Sequence, residues 1–382
     1  MKKRACDRRQ FLKLAGAAGL SLLLDSCRGA LPIPFPSSRA TPVPSPFPSA
    51  TVSPLPTSTR AYRSTVAIGR AAAYDQDLVK AQLQALLEGC GGLADLVRPG
   101  ARIGLKPNLT GETFSDASLP APATELFDVH PVVVAALAEL LLDAGAQKVY
   151  IMEGLGDTAI FRKWGYVEIA DRLGARLVDL CDPAPYSEFV NFPTGTRRLI
   201  YDQFYLNGLL GELDLFVSVA KMKCHSTTGV TLSLKNLFGL PPIQRYRRSD
   251  SDNNRSAFHE STVFDTRVPR VIVDLNLARP VHLAVVDGIK TVEAGAGSWD
   301  KGYAPVQPGL LFAGRDPVAV DAVTAAVMGF DPQAASGLHP FEYADNHLEL
   351  AAAAGVGTDR LAEIGVEGVP LTEALFPFKT VR

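Results

Sequence analysis

Lysine and histidine side chains alternate in a Lys-x-Lys-x-His pattern at residues 221–225. A continuous apolar run over 213–220 precedes the pattern and predicts a buried strand. If this strand continues, Lys221, Lys223 and His225 face the same side. Two ammonium groups beside an imidazole can bind an anion or flank an acid–base group. The alternative is a lysine pair at an exposed strand tip, which would contribute little.

Further polar residues follow another predicted strand or interrupt an apolar helix. Lys106 ends an apolar run and supplies a positive charge, and Asn108 offers a neutral amide beside it. Lys235 and Asn236 lie within an apolar helical run, where burial of Lys235 would lower its pKa. We assign His225 as a candidate proton donor and acceptor, and we add Lys235 as a second candidate catalytic residue. The candidate substrate-binding residues are Lys106, Asn108, Lys221, Lys223 and Asn236.

Three aspartates and one histidine are candidate metal ligands. Asp287 ends a predicted buried strand, where an unpaired carboxylate would be costly. Asp316 precedes Pro317, which fits either a helix N-cap or a ligand, and Asp321 lies on the predicted helix that follows. The three aspartates can bind a hard divalent cation or pair with the lysines, and charge pairing is slightly favoured. His259 follows a polar, arginine-bearing loop that can close over the site.

Composition and motifs exclude several classes of protein. The chain has 382 residues and a formal net charge of -2, which excludes a generally basic nucleic-acid-binding protein. Five cysteines without a Cys-x-x-Cys spacing exclude a disulfide-dense scaffold, a zinc ribbon and a ferredoxin-type cluster motif. Neither a phosphate-binding P-loop nor a serine nucleophile elbow occurs. The sequence does not identify a cofactor, and a divalent metal ion is the candidate that the aspartates and His259 suggest.

Short β-branched runs alternate with longer amphipathic stretches from Thr65 onward. This order predicts an α/β fold with a mainly parallel sheet flanked by helices. The polar residues above follow strands predicted at 102–106, 148–152, 213–220, 282–286 and 310–313. Because ligands bind beyond the carboxyl ends of strands in such sheets, we expect these five strand ends to form one site. Further strands are predicted at 65–69, 175–180, 198–201 and 363–366, and helices at 76–88, 131–144, 167–173, 269–278, 316–328 and 341–354.

Residues 1–26 have the pattern of a twin-arginine signal peptide. Arg8 and Arg9 precede an apolar run that ends at Leu24 and is too short for an ordinary transmembrane helix. The next residues resemble a lipobox, which makes Cys27 a candidate lipidation site, with simple cleavage as the alternative. Residues 27–60 are predicted to be a linker rich in Pro, Ser and Thr, and 61–382 an α/β domain. We expect the twin-arginine machinery to export the protein. The expected location is the outer face of the membrane, where a lipid anchor holds the protein, or the periplasm.

The chain contains a set of spaced motifs, Lys106-x-Asn108, His130-Pro131, Lys221-x-Lys223-x-His225, Thr228-Gly229, Lys235-Asn236-x-x-Gly239, Asp287-Gly288 and Asp316-Pro317-x-x-x-Asp321. Together they resemble the bacterial and archaeal family catalogued as domain of unknown function 362. The resemblance runs from about Arg102 to Val366 and is most specific over 220–239. It implies a shared site but no defined reaction. Members of the family often carry an added four-iron–four-sulfur ferredoxin module, whose clustered cysteines do not occur in this sequence.

The leading hypothesis is an exported enzyme that acts on a small anionic substrate, such as a carboxylate or a phosphate ester. In this hypothesis three lysines hold the anion, and Lys235 and Asn236 orient or activate the substrate. Two alternatives remain at this point. One is a non-catalytic solute-binding lipoprotein, which needs a cationic pocket but no proton-transfer group. The other is an extracytoplasmic redox or metal-binding protein.

Overall fold

The computed structural model describes residues 62–110, 118–260 and 263–380. The twin-arginine motif, Cys27 and the linker of 27–60 therefore lie outside the described residues. The strands are β1 (Ser64–Arg70), β2 (Arg102–Pro107), β3 (Lys148–Glu153), β4 (Arg176–Asp179), β5 (Val190–Pro193), β6 (Gln203–Leu206), β7 (Leu215–Lys221), β8 (Lys223–His225), β9 (Gly229–Thr231), β10 (Leu283–Gly288), β11 (Thr291–Glu293), β12 (Ala304–Val306), β13 (Leu310–Gly314) and β14 (Ile364–Gly368). The helices are α1 (Gln76–Gly89), α2 (Ala123–Leu126), α3 (Pro131–Asp143), α4 (Ala159–Lys163), α5 (Tyr166–Leu173), α6 (Ser233–Asn236), α7 (Ile243–Tyr246), α8 (Arg267–Ala278), α9 (Pro317–Val327), α10 (His347–Ala353) and α11 (Leu371–Ala374).

An eight-stranded sheet organises the domain, in the order β14-β1-β13-β10-β7-β2-β3-β4. Neighbouring strands are parallel except where β13 pairs with β1 and β10. The predicted α/β fold with a mainly parallel sheet is confirmed.

Two apolar layers cover the two faces of the sheet. Along β7, Phe216 and Ala220 belong to one layer, while Leu215, Val217 and Val219 belong to the other. This alternation follows from the two-residue repeat of a strand and leaves β7 buried on both sides. Helices α1, α3 and α5 pack on one face, and α8, α9 and α10 pack on the other. The polar groups are therefore displaced to the strand ends.

Local capping explains where two of the long helices begin. Pro131 is the first residue of α3, and the His130 imidazole accepts a hydrogen bond from the Val132 N–H. Pro317 likewise opens α9, and the Asp316 carboxylate accepts from the N–H groups of Val318 and Ala319. A proline at the first helical position lacks only an N–H that the helix would leave unpaired. The N-cap interpretation of Asp316 is thereby confirmed.

The direction of β13 corrects the expectation that five strand ends share one edge. In the antiparallel pair, Gly314 at the end of β13 lies opposite Ala284 near the start of β10. The loop that carries Asp316 therefore lies beside the amino end of β10, whereas Asp287 lies near its carboxyl end. Four of the five predicted strand ends remain together, those of β2, β3, β7 and β10.

Three local expectations also differ from the structure. Residues 198–201 form no strand but lie in the connection between β5 and β6, where the Asp274 carboxylate accepts hydrogen bonds from three of their N–H groups. The helix predicted over 341–354 is limited to α10, because Asn346 caps its first turn. The strand through Lys221 does not continue, since Met222 separates β7 from β8. Within the described part of the chain, no helix is long and apolar enough to cross a membrane.

Candidate functional site

A cavity of about 570 Å³ opens at the carboxyl ends of strands β2 and β3. Beyond the sheet, β8, α6 and two loops form its walls. One loop, residues 247–259, we call the flap, and the other spans residues 294–303. The polar and aromatic lining residues include Lys106, Asn108, Thr110, Glu153, Lys223, His225, Thr231, Lys235, Asn236, Phe238, Asn253, Asn254, Arg255, His259 and Trp299.

An ion pair between Lys106 and Glu153 forms part of the cavity wall. Their side chains are 0% and 2% exposed, and Lys106 Nζ lies 2.6 Å from Glu153 Oε2. The ammonium also donates to Asn236 Oδ1 and to the Pro107 carbonyl, which gives it three acceptors. Burial lowers the pKa of Lys106, and the Glu153 charge opposes that shift. Since its charge is balanced and its hydrogens are used, Lys106 organises the site rather than offering a free cation.

Asn236 joins α6 to the sheet beside this ion pair. Its Nδ2 donates to the Lys106 carbonyl at 2.8 Å and to Ser218 Oγ at 3.0 Å. The Asp321 carboxylate holds the start of the same helix by accepting from the N–H groups of Ser233 and Leu234. These contacts place Lys235, between them in sequence, at the cavity.

Lys221 lies in a separate buried network and does not line the cavity. Its Nζ lies 3.0 Å from Asp287 Oδ2, and it also donates to the Tyr74 hydroxyl and the Thr124 carbonyl. Asp287 further accepts hydrogen bonds from the Tyr74 hydroxyl and the His130 N–H. Charge pairing of Asp287, favoured from the sequence, is confirmed. Lys221 is therefore committed to Asp287 and not available to a ligand in the cavity.

Lys223 and His225 do lie together on the cavity wall. Lys223 Nζ donates to the Phe127 carbonyl at 2.6 Å. Burial lowers the pKa of Lys223 to about 8, while the Asp128 carboxylate favours its charged form. Burial raises the pKa of Asp128 to about 6, and the Lys223 charge opposes that shift.

The protonation of His225 follows from its hydrogen bonds. Its Nδ1 accepts from the N–H groups of Thr227 and Thr228, at 3.1 and 3.4 Å. A neutral imidazole that accepts at Nδ1 carries its hydrogen on Nε2. Burial, and then the charges of Lys235 and Lys223, hold the pKa of His225 well below its usual value. His225 is therefore neutral and suited to donating a hydrogen bond through Nε2, rather than to accepting a proton.

Of the three lysines that line the cavity, Lys235 is the one whose ammonium makes no hydrogen bond within the described part of the chain. Its ammonium lies 5.4 Å from the centroid of the Phe238 ring and has no hydrogen-bond acceptor among the described residues. Burial lowers the pKa of Lys235 to about 7, and the neighbouring Lys223 and Lys106 charges add to that shift. An amine with this pKa exchanges its proton readily at neutral pH.

Two residues that line the cavity, Asn108 and Thr231, each contain a side-chain oxygen without a hydrogen-bond partner. Asn108 Oδ1 and Thr231 Oγ1 are buried, and neither makes a hydrogen bond within the described part of the chain. A buried polar atom left unpaired costs free energy. The uncommitted group that faces a ligand is therefore the Lys235 amine.

The flap contributes Arg255, which the sequence analysis did not single out. Its Nη2 donates to the carbonyls of Gly154 and Gly239, and its Nε donates to the Pro241 carbonyl. These contacts tie the flap to the loops after β3 and α6. His259 follows on the same segment and lies edge-on to Phe238.

The structure does not bring the four candidate metal ligands together. Asp287 binds Lys221, Asp316 caps α9 at the opposite edge, and Asp321 holds the start of α6. His259 Nδ1 lies 3.5 Å from an Asp265 oxygen. Among residues 62–110, 118–260 and 263–380, no group of three or more His, Cys, Asp or Glu side chains is arranged to hold a metal ion.

Comparison with known proteins places the chain in one family. The model of a domain of unknown function, DUF362, matches residues 103–326, and the chain belongs to this family. The match contains every residue assigned above to the cavity. The chain is also 27% identical over 326 residues to a thylakoid-associated protein of Synechocystis sp., an alignment covering 82% of this chain and 89% of that protein. No solved structure matches the chain.

Proposed function

We propose that the cavity binds a small anion and that the protein is an enzyme in which Lys235 exchanges a proton with the bound substrate. The observation that carries this proposal is the uncommitted Lys235 ammonium, which lines the cavity together with Lys223. Because Lys106 is paired with Glu153, the attraction for an anion comes from Lys223 and Lys235, together with the Arg255 guanidinium of the flap. His225 supports the same role as a neutral donor through Nε2.

Sulfate is a suitable first probe, because it keeps its charge between pH 6 and 9. We expect saturable binding that weakens as the pH rises through about 7 and then about 8, where Lys235 and Lys223 lose their protons. Replacement Lys235→Met removes a charged hydrogen-bond donor and is expected to weaken sulfate binding by on the order of tenfold. Calorimetric titration measures both effects.

A matched control separates this site from general electrostatics. Lys148→Met removes one positive charge at the amino end of β3, on the other edge of the sheet, where the lysine donates to the Gly174 carbonyl. This variant is expected to bind sulfate as the unaltered protein does. The proposal fails if sulfate and small carboxylates do not bind at millimolar concentrations, or if both lysine variants weaken binding equally.

A pair of His225 variants distinguishes an enzyme from a solute-binding protein. His225→Asn can retain an acceptor for the N–H groups of Thr227 and Thr228 but removes the Nε2 donor. His225→Gln extends an amide toward the Nε2 position and can retain the donor. Small carboxylates and phosphate esters would be screened for turnover by following product formation. Turnover that is lost in the Asn variant with binding retained supports catalysis, whereas tight binding without turnover of any bound compound favours a receptor.

We also propose that the protein is exported and held at a membrane surface. The twin-arginine motif at Arg8 and Arg9, the candidate lipidation site at Cys27 and the proline-rich linker support this location. A relative described as thylakoid-associated also supports a membrane-surface location.

A further inference from the structure

The loop of residues 294–303 places an indole ring at the cavity. Trp299 lines the cavity and is 46% exposed, whereas the other tryptophan, Trp164, is 6% exposed. A half-exposed tryptophan beside a polar cavity presents a flat apolar surface to whatever enters.

The position of this indole is built into the loop. A Cβ atom on Gly297 would lie 2.2 Å from two carbon atoms of the Trp299 ring, so this close packing requires glycine. Asp300 Oδ2 accepts a hydrogen bond from the Ala296 N–H, and the Ala294 N–H donates to the Lys379 carbonyl. The loop is therefore fixed on both sides of the ring.

Trp299 shares the cavity with a second aromatic wall. Phe238 lines it beside the Lys235 ammonium, and His259 lies edge-on to Phe238, with ring centroids 5.8 Å apart. The cavity volume of about 570 Å³ is also far larger than a sulfate or acetate ion needs. Its lining is thus divided between groups that attract an anion and rings that offer stacking surfaces.

We infer that the ligand is a planar aromatic or heteroaromatic compound that carries a carboxylate or phosphate group. Its ring packs against Trp299, while its anionic group reaches Lys235 and Lys223. This inference rests on the proposed function, because it assigns the rest of the ligand to the same cavity. Stacking on an indole contributes beyond simple burial and favours an unsaturated ring over a saturated ring of similar size.

Two matched pairs of compounds test the inference. Benzoate is compared with cyclohexanecarboxylate, and phenyl phosphate with cyclohexyl phosphate, by calorimetric titration of the full chain. Each pair keeps the type of anionic group and changes the ring, and the Trp299 variants show how much of the difference comes from the ring. We expect the aromatic member to bind ~2- to 10-fold more tightly. Trp299→Leu is expected to abolish this preference, and Trp299→Phe, which retains a ring, to preserve most of it.

Sulfate separates this inference from the proposed function. It has no ring, so its binding is expected to be the same in Trp299→Leu as in the unaltered protein. Equal affinities within each pair, with sulfate still bound, overturn the aromatic ligand and leave the anion site intact. An aromatic preference that persists in Trp299→Leu also overturns the assignment to Trp299. Absence of binding by all of the anions overturns both proposals.

Discussion

The Lys106 ammonium and the Glu153 carboxylate lie 2.6 Å apart across the parallel strands β2 and β3, where both side chains are almost completely buried. Glu153 also accepts hydrogen bonds from the N–H groups of Leu109 and Gly154, so the loops after both strands are fixed by one side chain. The pair thus determines the shape of the cavity wall, while leaving no net charge there.

Replacement Glu153→Gln is expected to destabilise the protein by about 3–5 kcal/mol, because it leaves the buried Lys106 charge without a counter-ion. Urea denaturation measures the change in the free energy of unfolding. The double variant Lys106→Met/Glu153→Leu removes both charges and is expected to lose less stability than the sum of the losses in Lys106→Met and in Glu153→Leu. Additive losses would show that the two charges do not stabilise each other.

Gly239 is predicted to be intolerant of a side chain, because it lies against this ion pair. A Cβ atom there would lie 2.3 Å from Glu153 Oε1 and 2.9 Å from Lys106 Nζ. Gly239→Ala is expected to cost about 1–3 kcal/mol of stability and to weaken sulfate binding. Gly211→Ala is the control, since its nearest contact would be an ordinary 3.6 Å from the Phe192 ring. Equal effects of the two substitutions would contradict the tight packing at Gly239.

The lowered pKa of Lys235 predicts a specific dependence of stability on pH. The folded protein releases this proton near pH 7, whereas the unfolded chain keeps it up to about pH 10.4. Between these values the unfolded state binds more protons, so the contribution of Lys235 to stability rises with pH from about 7 to about 10.4 and is fully lost once the pH has fallen to about 7.

Denaturation of the unaltered protein and Lys235→Met between pH 6 and 10 measures this contribution. The difference in the free energy of unfolding is expected to move in favour of the unaltered protein as the pH increases. Lys148→Met, at the other edge of the sheet, is expected to follow the unaltered protein. A constant difference between Lys235→Met and the unaltered protein would place the Lys235 pKa near that of the unfolded chain.

The proposed export and anchoring predict where two variants are found in the cell. Replacing Arg8 and Arg9 with lysine is expected to retain the protein in the cytoplasm, whereas Cys27→Ser is expected to release it from the membrane fraction after export. Fractionation followed by immunoblotting measures both. Membrane association that persists in Cys27→Ser would count against a lipid anchor, and unchanged export of the lysine variant against the twin-arginine route.

The central strands of the sheet can be predicted from the sequence, because strands buried on both faces are continuous apolar runs. This applies to β7 and β10, and the polar residues that follow them were correctly placed at one edge. The direction of β13 cannot be predicted from the sequence, since an apolar strand has the same local pattern whether it is parallel or antiparallel. The prediction therefore places Asp316 beside Asp287, whereas in the structure it lies at the opposite ends of the strands.

The residues that line the cavity can be predicted only in part from the sequence. The alternation of residues after an apolar strand indicates Lys223 and His225, and the position within an apolar helical run indicates Lys235. Arg255 and Trp299 lie on loops without a distinctive pattern, and only the folded chain brings them to the cavity. The sequence does not exclude Lys221, because its ion pair with Asp287 joins two strands that are distant along the chain.

The neutral Lys106–Glu153 ion pair affects how fast a product would dissociate from the cavity. Because the wall beside it carries no net charge, the attraction for an occupant comes mainly from Lys223, Lys235 and Arg255 and varies with the charge of that occupant. A decarboxylation, in which CO2 leaves and a proton takes its place, would leave an organic product without this attraction. Such a product would dissociate faster than the substrate, which would limit product inhibition.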